Sequence, residues 1–415
     1  MRLNNPEVLY LKSKNNSFTS WVFAFFTILS LWPFFSWKWP IIPVSFIVIT
    51  YTTYAYEVMF NNQRRVSFSG ITIFLIISFF LVFYFLLPGG APPWMNYYSL
   101  FSLLFLLLPY EKSFDVAVKF KALFCYLLVP GLIVYFLLLM GFNLPYSILG
   151  SHSDVKEIFG LEYRDYGVTI ALSHLTYNFG NTTLIRFSGL YDEPGLLGTI
   201  CSLFLLADKF NLRKKQNIIL LISGLVSISL VFYIFAIIGF IIQSKRKLFN
   251  ISIMLFIGLV FYNSPLYDNY LGKRFNNSQS GSFVNDNRVS ECFKTEYDGF
   301  LSSNIKTQFI GEGHSAHLTT LCDVSSYKMY IYDYGYLGSA VLMFLMLLQY
   351  FYPAYCARRM KKFFKSSFLF IALFFVSYYQ RPVLFNLAFI MIFYYGIVSS
   401  LANNGEYAVN SKASG

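Results

Sequence analysis

Three groups of residues in this sequence combine types and spacings that suit acid–base chemistry or the binding of an anion. The first is the run Arg186-Phe187-Ser188-Gly189-Leu190-Tyr191-Asp192-Glu193-Pro194-Gly195, which leads straight into an apolar segment. Pro194 fits the first turn of a helix, where its missing N–H would have had no partner anyway. Asp192 and Glu193 then stand at the positive end of that helix, which favours their ionised forms. Simple capping accounts for Asp192 as well as chemistry does. Arg186 falls close to the membrane surface, where a cation is costly unless it serves a partner. The second group is Lys273-Arg274 followed by Asn285-Asp286-Asn287-Arg288. Guanidinium groups grip phosphate oxygens in pairs. Arg288 is read as such a group, and Arg274 as the partner of nearby acids. The third is Gly311-Glu312-Gly313-His314-Ser315-Ala316-His317. Two histidines three apart can ligate a metal, but no cysteine or acid stands at metal-site spacing. A loop histidine between glycines suits a general acid, general base or hydrogen-bond donor better. Asp333 adds a carboxylate near the end of a later apolar segment, where snorkelling to the interface explains it better than chemistry does. No Gly-x-Gly-x-x-Gly, P-loop or Gly-x-Ser-x-Gly run is present, so nucleotide-dependent and serine-hydrolase chemistry have no support.

The elements that must position these residues are membrane spans. Charged residues make up only 13% of the 415 residues, about half the share of a soluble domain. Apolar residues come in runs near the ~20 residues that cross a bilayer. Spans are expected near 20–37, 40–57, 69–88, 97–110, 120–142, 194–208, 217–243, 248–263, 331–352, 366–379 and 382–401. The segment 217–243 is flanked by Arg213-Lys214-Lys215 and Lys245-Arg246-Lys247. Both clusters lie on one side only if the segment turns back as two short helices, and Ser223, Gly224, Ser227 and Ser229 are small enough to let them pack. With that hairpin, every basic cluster falls on the cytoplasmic side, both termini included. The expected fold is an all-α integral membrane protein of about twelve crossings, one polytopic domain over residues 1–415. The polar first 19 residues, with Arg2, Lys12 and Lys14, are read as preceding a retained signal anchor. The net charge of +12 does not signal nucleic-acid binding, because the basic residues sit between spans.

Residues 143–193 and 264–330 form two long outer loops that hold 13 of the 20 acidic residues. Their interleaved Tyr, Phe, Leu and Ile are unlike disorder, so folded caps with short helices are expected. Tyr163, Tyr166 and Tyr177 in the first loop suit sugar stacking, although ordinary packing fits each of them better. Cys292 and Cys322 share the second loop, and either a disulfide or two free thiols is consistent with the sequence.

The run Arg186 to Gly195 resembles the R-x-x-G-x-x-x-x-P-x entry to a span in O-antigen polymerases (the Wzy family) and the related O-antigen ligases. Tyr334-Gly335-Tyr336-Leu337-Gly338 resembles the e-x-G-x-x-G opening of the span after the second loop. The similarity covers most of the chain in layout and these short motifs in residues. It implies a multispan glycosyltransferase (GT-C) fold at the periplasmic face of a bacterial inner membrane. It also implies a metal-independent transfer, without cofactor, of a glycan from undecaprenyl pyrophosphate onto a lipid-linked repeat unit. Arg186 and Arg288 would hold the pyrophosphate, with Arg274, His317 and Tyr191 as further substrate contacts. Asp192, Glu193 and His314 would be the catalytic candidates. A chain-length regulator protein would be the partner. The ligases carry a histidine just ahead of the glycine motif; here that stretch reads Ser325-Ser326-Tyr327, which argues against a ligase. A flippase or transporter is the rival from another class, and it would place ionisable groups inside the spans.

Overall fold

The computed structural model describes residues 17–60, 68–86, 95–150, 162–172, 176–179, 182–243, 252, 289–322, 324–356 and 360–401. These residues are mostly helical, and they divide into two compact units. Three helices are long and apolar enough to cross a membrane, at Ile41–Phe60, Lys112–Leu139 and Lys328–Tyr352; eight apolar helices are shorter, counted among the described residues. The expected span 248–263 lies outside the described residues except for Ser252.

The first unit takes in Met1–Leu31, Ile41–Leu123 and Arg288–Gly415. Its elements are α1 (Ser17–Leu29), then α3 (Ile41–Phe60), α4 (Phe68–Phe80, prolonged by a π turn) and α5 (Tyr97–Leu104). The first half of α6 (Tyr110–Leu139) follows, then α10 (Glu291–Ser302), α11 (Ile305–Ile310), α12 (Ala316–Thr319), α13 (Lys328–Cys356), α14 (Met360–Gln380) and α15 (Leu387–Leu401). Aromatic rings meeting edge-on are packed among its buried aliphatic side chains. Phe101 meets Phe26 edge-on at 5.1 Å and Phe105 at 5.3 Å, and Tyr350 meets Phe393 at 5.0 Å. Such ring pairs add about 0.5–1.5 kcal/mol each beyond the area they bury. Some polar atoms in this core are bonded to one another: Tyr350 and Tyr378 share a hydrogen bond of 2.6 Å, and Gln349 Nε2 donates to Ser102 Oγ at 3.1 Å. The expected first span, 20–37, is broken at Trp32-Pro33, because proline cannot continue the ladder. Trp32 there adopts φ +50°.

The second unit takes in Trp32–Pro40 and Phe124–Asn287. It holds α2 (Phe34–Lys38), the second half of α6, five short strands, α7 (Pro194–Ala207), α8 (Lys215–Val226) and α9 (Leu230–Gln243). Its core is α7, apolar on every side and buried from Leu197 to Ala207. An all-round apolar helix needs neighbours on every side, and α8 and α9 supply two of them. They form the hairpin that the basic clusters imply. A Cβ at Gly224 would collide with the Phe232 ring, and one at Gly198 would collide with Ser229 and stand 2.9 Å from Ser227 Oγ. Gly224→Ala is therefore expected to cost about 1–3 kcal/mol by overpacking, read as a lowered melting temperature of the detergent-solubilised protein.

The first long loop departs from the helical caps expected of it, and this corrects the all-α expectation. β1 (Ser147–Leu149), β2 (Tyr163–Asp165) and β3 (Ile170–Leu172) form an antiparallel sheet, with Tyr163 opposite both Leu149 and Leu172. β4 (Thr176–Phe179) and β5 (Thr182–Ile185) form a separate hairpin. The turn from β2 to β3 is set by Asp165, whose carboxylate accepts the Gly167 N–H at 2.7 Å and pairs with Lys38 Nζ at 2.6 Å. Tyr163 is fully buried with its ring 5.2 Å from that of Trp37, so it packs against α2. The second loop follows the expectation of short helices, α10 to α12. Phe293, Phe300 and Tyr332 give it a core of its own.

Candidate functional site

In the second unit, Arg186 follows β5 directly, and the chain then makes a tight turn before α7. Ser188 O accepts the Tyr191 N–H at 3.1 Å. Gly189 is required within this turn, because its φ is +63° and a Cβ there would stand 2.8 Å from Leu128 Cδ2. The turn is held from two sides. Gly189 O accepts from Thr169 Oγ1 at 2.7 Å and from the Ile170 N–H at 3.1 Å, while Leu190 O accepts the Phe34 N–H at 2.8 Å. These bonds set the direction in which Arg186 leaves the backbone.

The Arg186 guanidinium is itself fixed. Nε donates to Ser227 O and Nη2 to Ile228 O, each at 3.1 Å, and the Phe187 N–H donates to Val226 O at 3.1 Å. Those carbonyls lie at the C-terminal end of α8, where unpaired C=O groups and the helix dipole favour a cation. Among the described residues no carboxylate pairs with Arg186. The side chain is half-buried and oriented by neutral acceptors.

Tyr191 is fully buried and stacks on Phe124 at 5.9 Å; burial pushes its phenol well above the ordinary range. Its contribution is packing beneath the turn. Asp192 and Glu193 are half-buried beside it. Glu193 occupies the N-cap position of α7 in extended conformation, with Pro194 next. Its carboxylate makes no capping bond, and its main-chain carbonyl accepts the Leu196 N–H at 3.1 Å. Arg186, Tyr191, Asp192 and Glu193 thus share one turn at the entrance to α7.

In the first unit, the second loop docks on the start of α13 through two glycines. Gly335 has φ 65° and ψ −175°, which breaks the helix. The carbonyls that the break releases are taken by the loop: Glu312 N–H donates to Tyr332 O at 2.9 Å, and Gly313 N–H to Asp333 O at 3.1 Å. A Cβ on Gly311 would collide with the Asp333 carbonyl, and one on Gly335 with the Phe309 carbonyl. The glycine motif therefore serves a close backbone-to-backbone approach.

That approach brings His317 onto Asp333. Asp333 Oδ2 lies 2.6 Å from His317 Nδ1, and Oδ1 accepts the His317 main-chain N–H at 2.9 Å. Asp333 is 3% exposed, so it does not snorkel. His314 meets Tyr334 instead, with Nδ1 3.3 Å from the phenol oxygen. Cys292 and Cys322 are disulfide-bonded and clamp α10 to the strand of loop that precedes α13. Replacing both by Ser is expected to cost the loop about 2–5 kcal/mol, seen as faster proteolytic cutting between residues 289 and 322.

Arg274 and Arg288 lie outside the described residues. Among the described residues no three His, Cys, Asp or Glu side chains come together as a metal site would require. Also in the first unit, a cavity of about 390 Å³ lies between α13 and α14, lined by Tyr330, Ile331, Leu342, Met343 and Phe375 among others. Comparison of the chain with protein-family models, with curated proteins and with solved structures finds no match.

Proposed function

We propose that this protein is a membrane-embedded glycosyltransferase that polymerises lipid-linked oligosaccharide repeat units at the outer face of a bacterial inner membrane. In this reading the apolar helices make about twelve crossings of a GT-C-type fold, both termini are cytoplasmic, and the product is O-antigen or capsular polysaccharide. The carrying observation is Arg186: a half-buried guanidinium, held by two carbonyls and paired with no carboxylate among the described residues. A preorganised cation of this kind is suited to an anionic leaving group. The disulfide accords with a second loop in an oxidising compartment.

The chemistry follows from the donor. The anomeric carbon of the growing glycan is bonded to a lipid pyrophosphate, so activation is built in and no nucleotide is consumed. A hydroxyl of the acceptor repeat attacks that carbon. Its proton passes to a base, the new glycosidic C–O bond forms, and the old one breaks with its electron pair going to the pyrophosphate. Arg186, with Arg288 as its expected counterpart, stabilises that charge.

The deciding experiment is surface-glycan length in a strain deleted for this chain, with the wild-type copy restored as control. Loss of the ladder with one repeat left on the lipid core establishes a polymerase. Loss of every repeat points to a ligase or flippase, and an unchanged ladder rejects the proposal.

A further inference from the structure

We infer that α11 is a membrane anchor, its exposed face set into the lipid beside α13 so that the second loop is held at the bilayer surface. The inference is independent of the polymerase reading and rests only on α13 crossing a membrane, which its length and composition allow. In a water-facing helix the apolar side turns inward and the polar side outward. In α11 the order is reversed. Ile305, Phe309 and Ile310 are 75%, 54% and 56% exposed, while Thr307 and Gln308 are turned partly inward. Gln308 is engaged there, with Nε2 donating to Leu301 O at 2.7 Å and to Ser303 O at 3.0 Å. Ile305 and Phe309, four residues apart, share one face of the helix, and Ile310 adjoins it. Large apolar side chains gathered in this way mark a surface that meets something other than water.

The adjoining surface identifies the occupant as lipid. α11 packs along the start of α13, and the Phe309 carbonyl stands so close to Gly335 that a Cβ there would strike it. The Phe309 ring meets Tyr336 edge-on at 6.3 Å. Tyr336 opens a stripe along α13: Tyr336, Leu337, Ala340, Met343 and Phe344 recur at helical spacing, and all are exposed. On a helix that crosses a bilayer, an uncharged exposed stripe of this kind meets hydrocarbon. The apolar face of α11 continues that stripe past the Gly335 break, so the same lipid covers both. Lys306 is the one charged residue of α11, and it too is exposed. Its stem can lie along the apolar patch while the ammonium reaches the phosphates of acidic headgroups. Apolar side chains with a lysine among them suit the boundary between headgroups and hydrocarbon.

The test is spin-label accessibility at single introduced cysteines in the full chain, reconstituted into vesicles of phosphatidylethanolamine and phosphatidylglycerol. The parent carries Cys125→Ala, Cys201→Ala and Cys356→Ala and keeps the Cys292–Cys322 disulfide. Labels go on Ile305→Cys and Ile310→Cys, two exposed positions where a new side chain displaces little packing. Each label is expected to collide more often with oxygen, which concentrates in hydrocarbon, than with a water-soluble nickel chelate. A label on Glu291→Cys, at an exposed position of α10, is expected to show the reverse preference. Nickel-dominated collisions at Ile305→Cys and Ile310→Cys would put α11 in water and overturn the inference. Labels shielded from both reagents would mean that protein covers the patch, a second copy of this chain for example, and would overturn it equally. Phe344→Cys keeps the premise separate: a label there that does not prefer oxygen would reject α13 as a lipid-facing span, and the anchor with it.

Discussion

Arg186→Ala is expected to abolish polymer, lowering the transfer rate by about 10²–10³-fold, the usual cost of removing one preorganised donor to a developing anion. The substitution also removes the hydrogen bonds that Arg186 donates to the carbonyls of Ser227 and Ile228, and hydrogen bonds to a charged group are worth about 1.5–3 kcal/mol. Some loss of stability is thus built into the experiment. Arg186→Gln separates the two effects, because an amide can still donate to one carbonyl while the charge is gone. If charge on the pyrophosphate is what matters, Gln fails as badly as Ala, with protein level and melting temperature restored towards wild type. Arg186→Lys is expected to fail as well: an ammonium on a flexible stem does not hold two carbonyls and still present a planar fork to a phosphate. Normal glycan length in Arg186→Ala, at matched protein level, would remove Arg186 from the mechanism.

Gly335→Ala is expected to release the second loop from α13. The conformation at this residue, φ 65° and ψ −175°, belongs to a region populated almost only by glycine, and forcing another residue there costs about 1–3 kcal/mol. The added methyl would also strike the Phe309 carbonyl, and it cannot be accommodated by a small shift because the neighbouring carbonyls of Tyr332 and Asp333 are tied to Glu312 and Gly313. The combined loss should exceed about 3 kcal/mol, which is enough to undock a loop. The readout is limited proteolysis between residues 289 and 322 together with activity: cutting accelerates and transfer fails. Gly299→Ala serves as control. Gly299 lies inside α10 with nothing within 4 Å of a new Cβ, and alanine there gains up to about 1 kcal/mol of helix propensity. Equal cutting of the two variants would show that the glycine interlock does not hold the loop.

Much of this organisation is legible in the sequence, and the reason differs from place to place. Helix content follows from long apolar runs, since in lipid every backbone group must be paired internally. The α8–α9 hairpin was expected from two basic clusters that the positive-inside rule puts on one side, together with Ser and Gly where helices must approach closely. Pro194 marks the start of α7 because it cannot serve the middle of a helix. The strands of the first loop are harder to read. Each is only three or four residues long, too short for alternation to stand out from chance, and the one local signal is Gly180-Asn181 between Thr176–Phe179 and Thr182–Ile185, a pair suited to a two-residue hairpin turn.

What the sequence by itself determined is the kind of protein this is: an apolar, helical chain with two long loops rich in acidic and aromatic residues, and a short set of arginines, carboxylates and histidines as candidates for chemistry. Local forces decide these features, through hydropathy, charge placement and the backbone habits of Pro and Gly. The tertiary structure alone decided which of those residues meet. Asp333 reads along the chain as a snorkelling acid and His317 as one of two loop histidines; they are 16 positions apart, and their contact exists only because Gly311 and Gly335 let two backbones touch. Arg186 likewise shows its charge in the sequence but not its partners, since the carbonyls that orient it belong to a turn some 40 residues away. Long-range contacts of this kind depend on how whole elements pack, and no local pattern of residues encodes them.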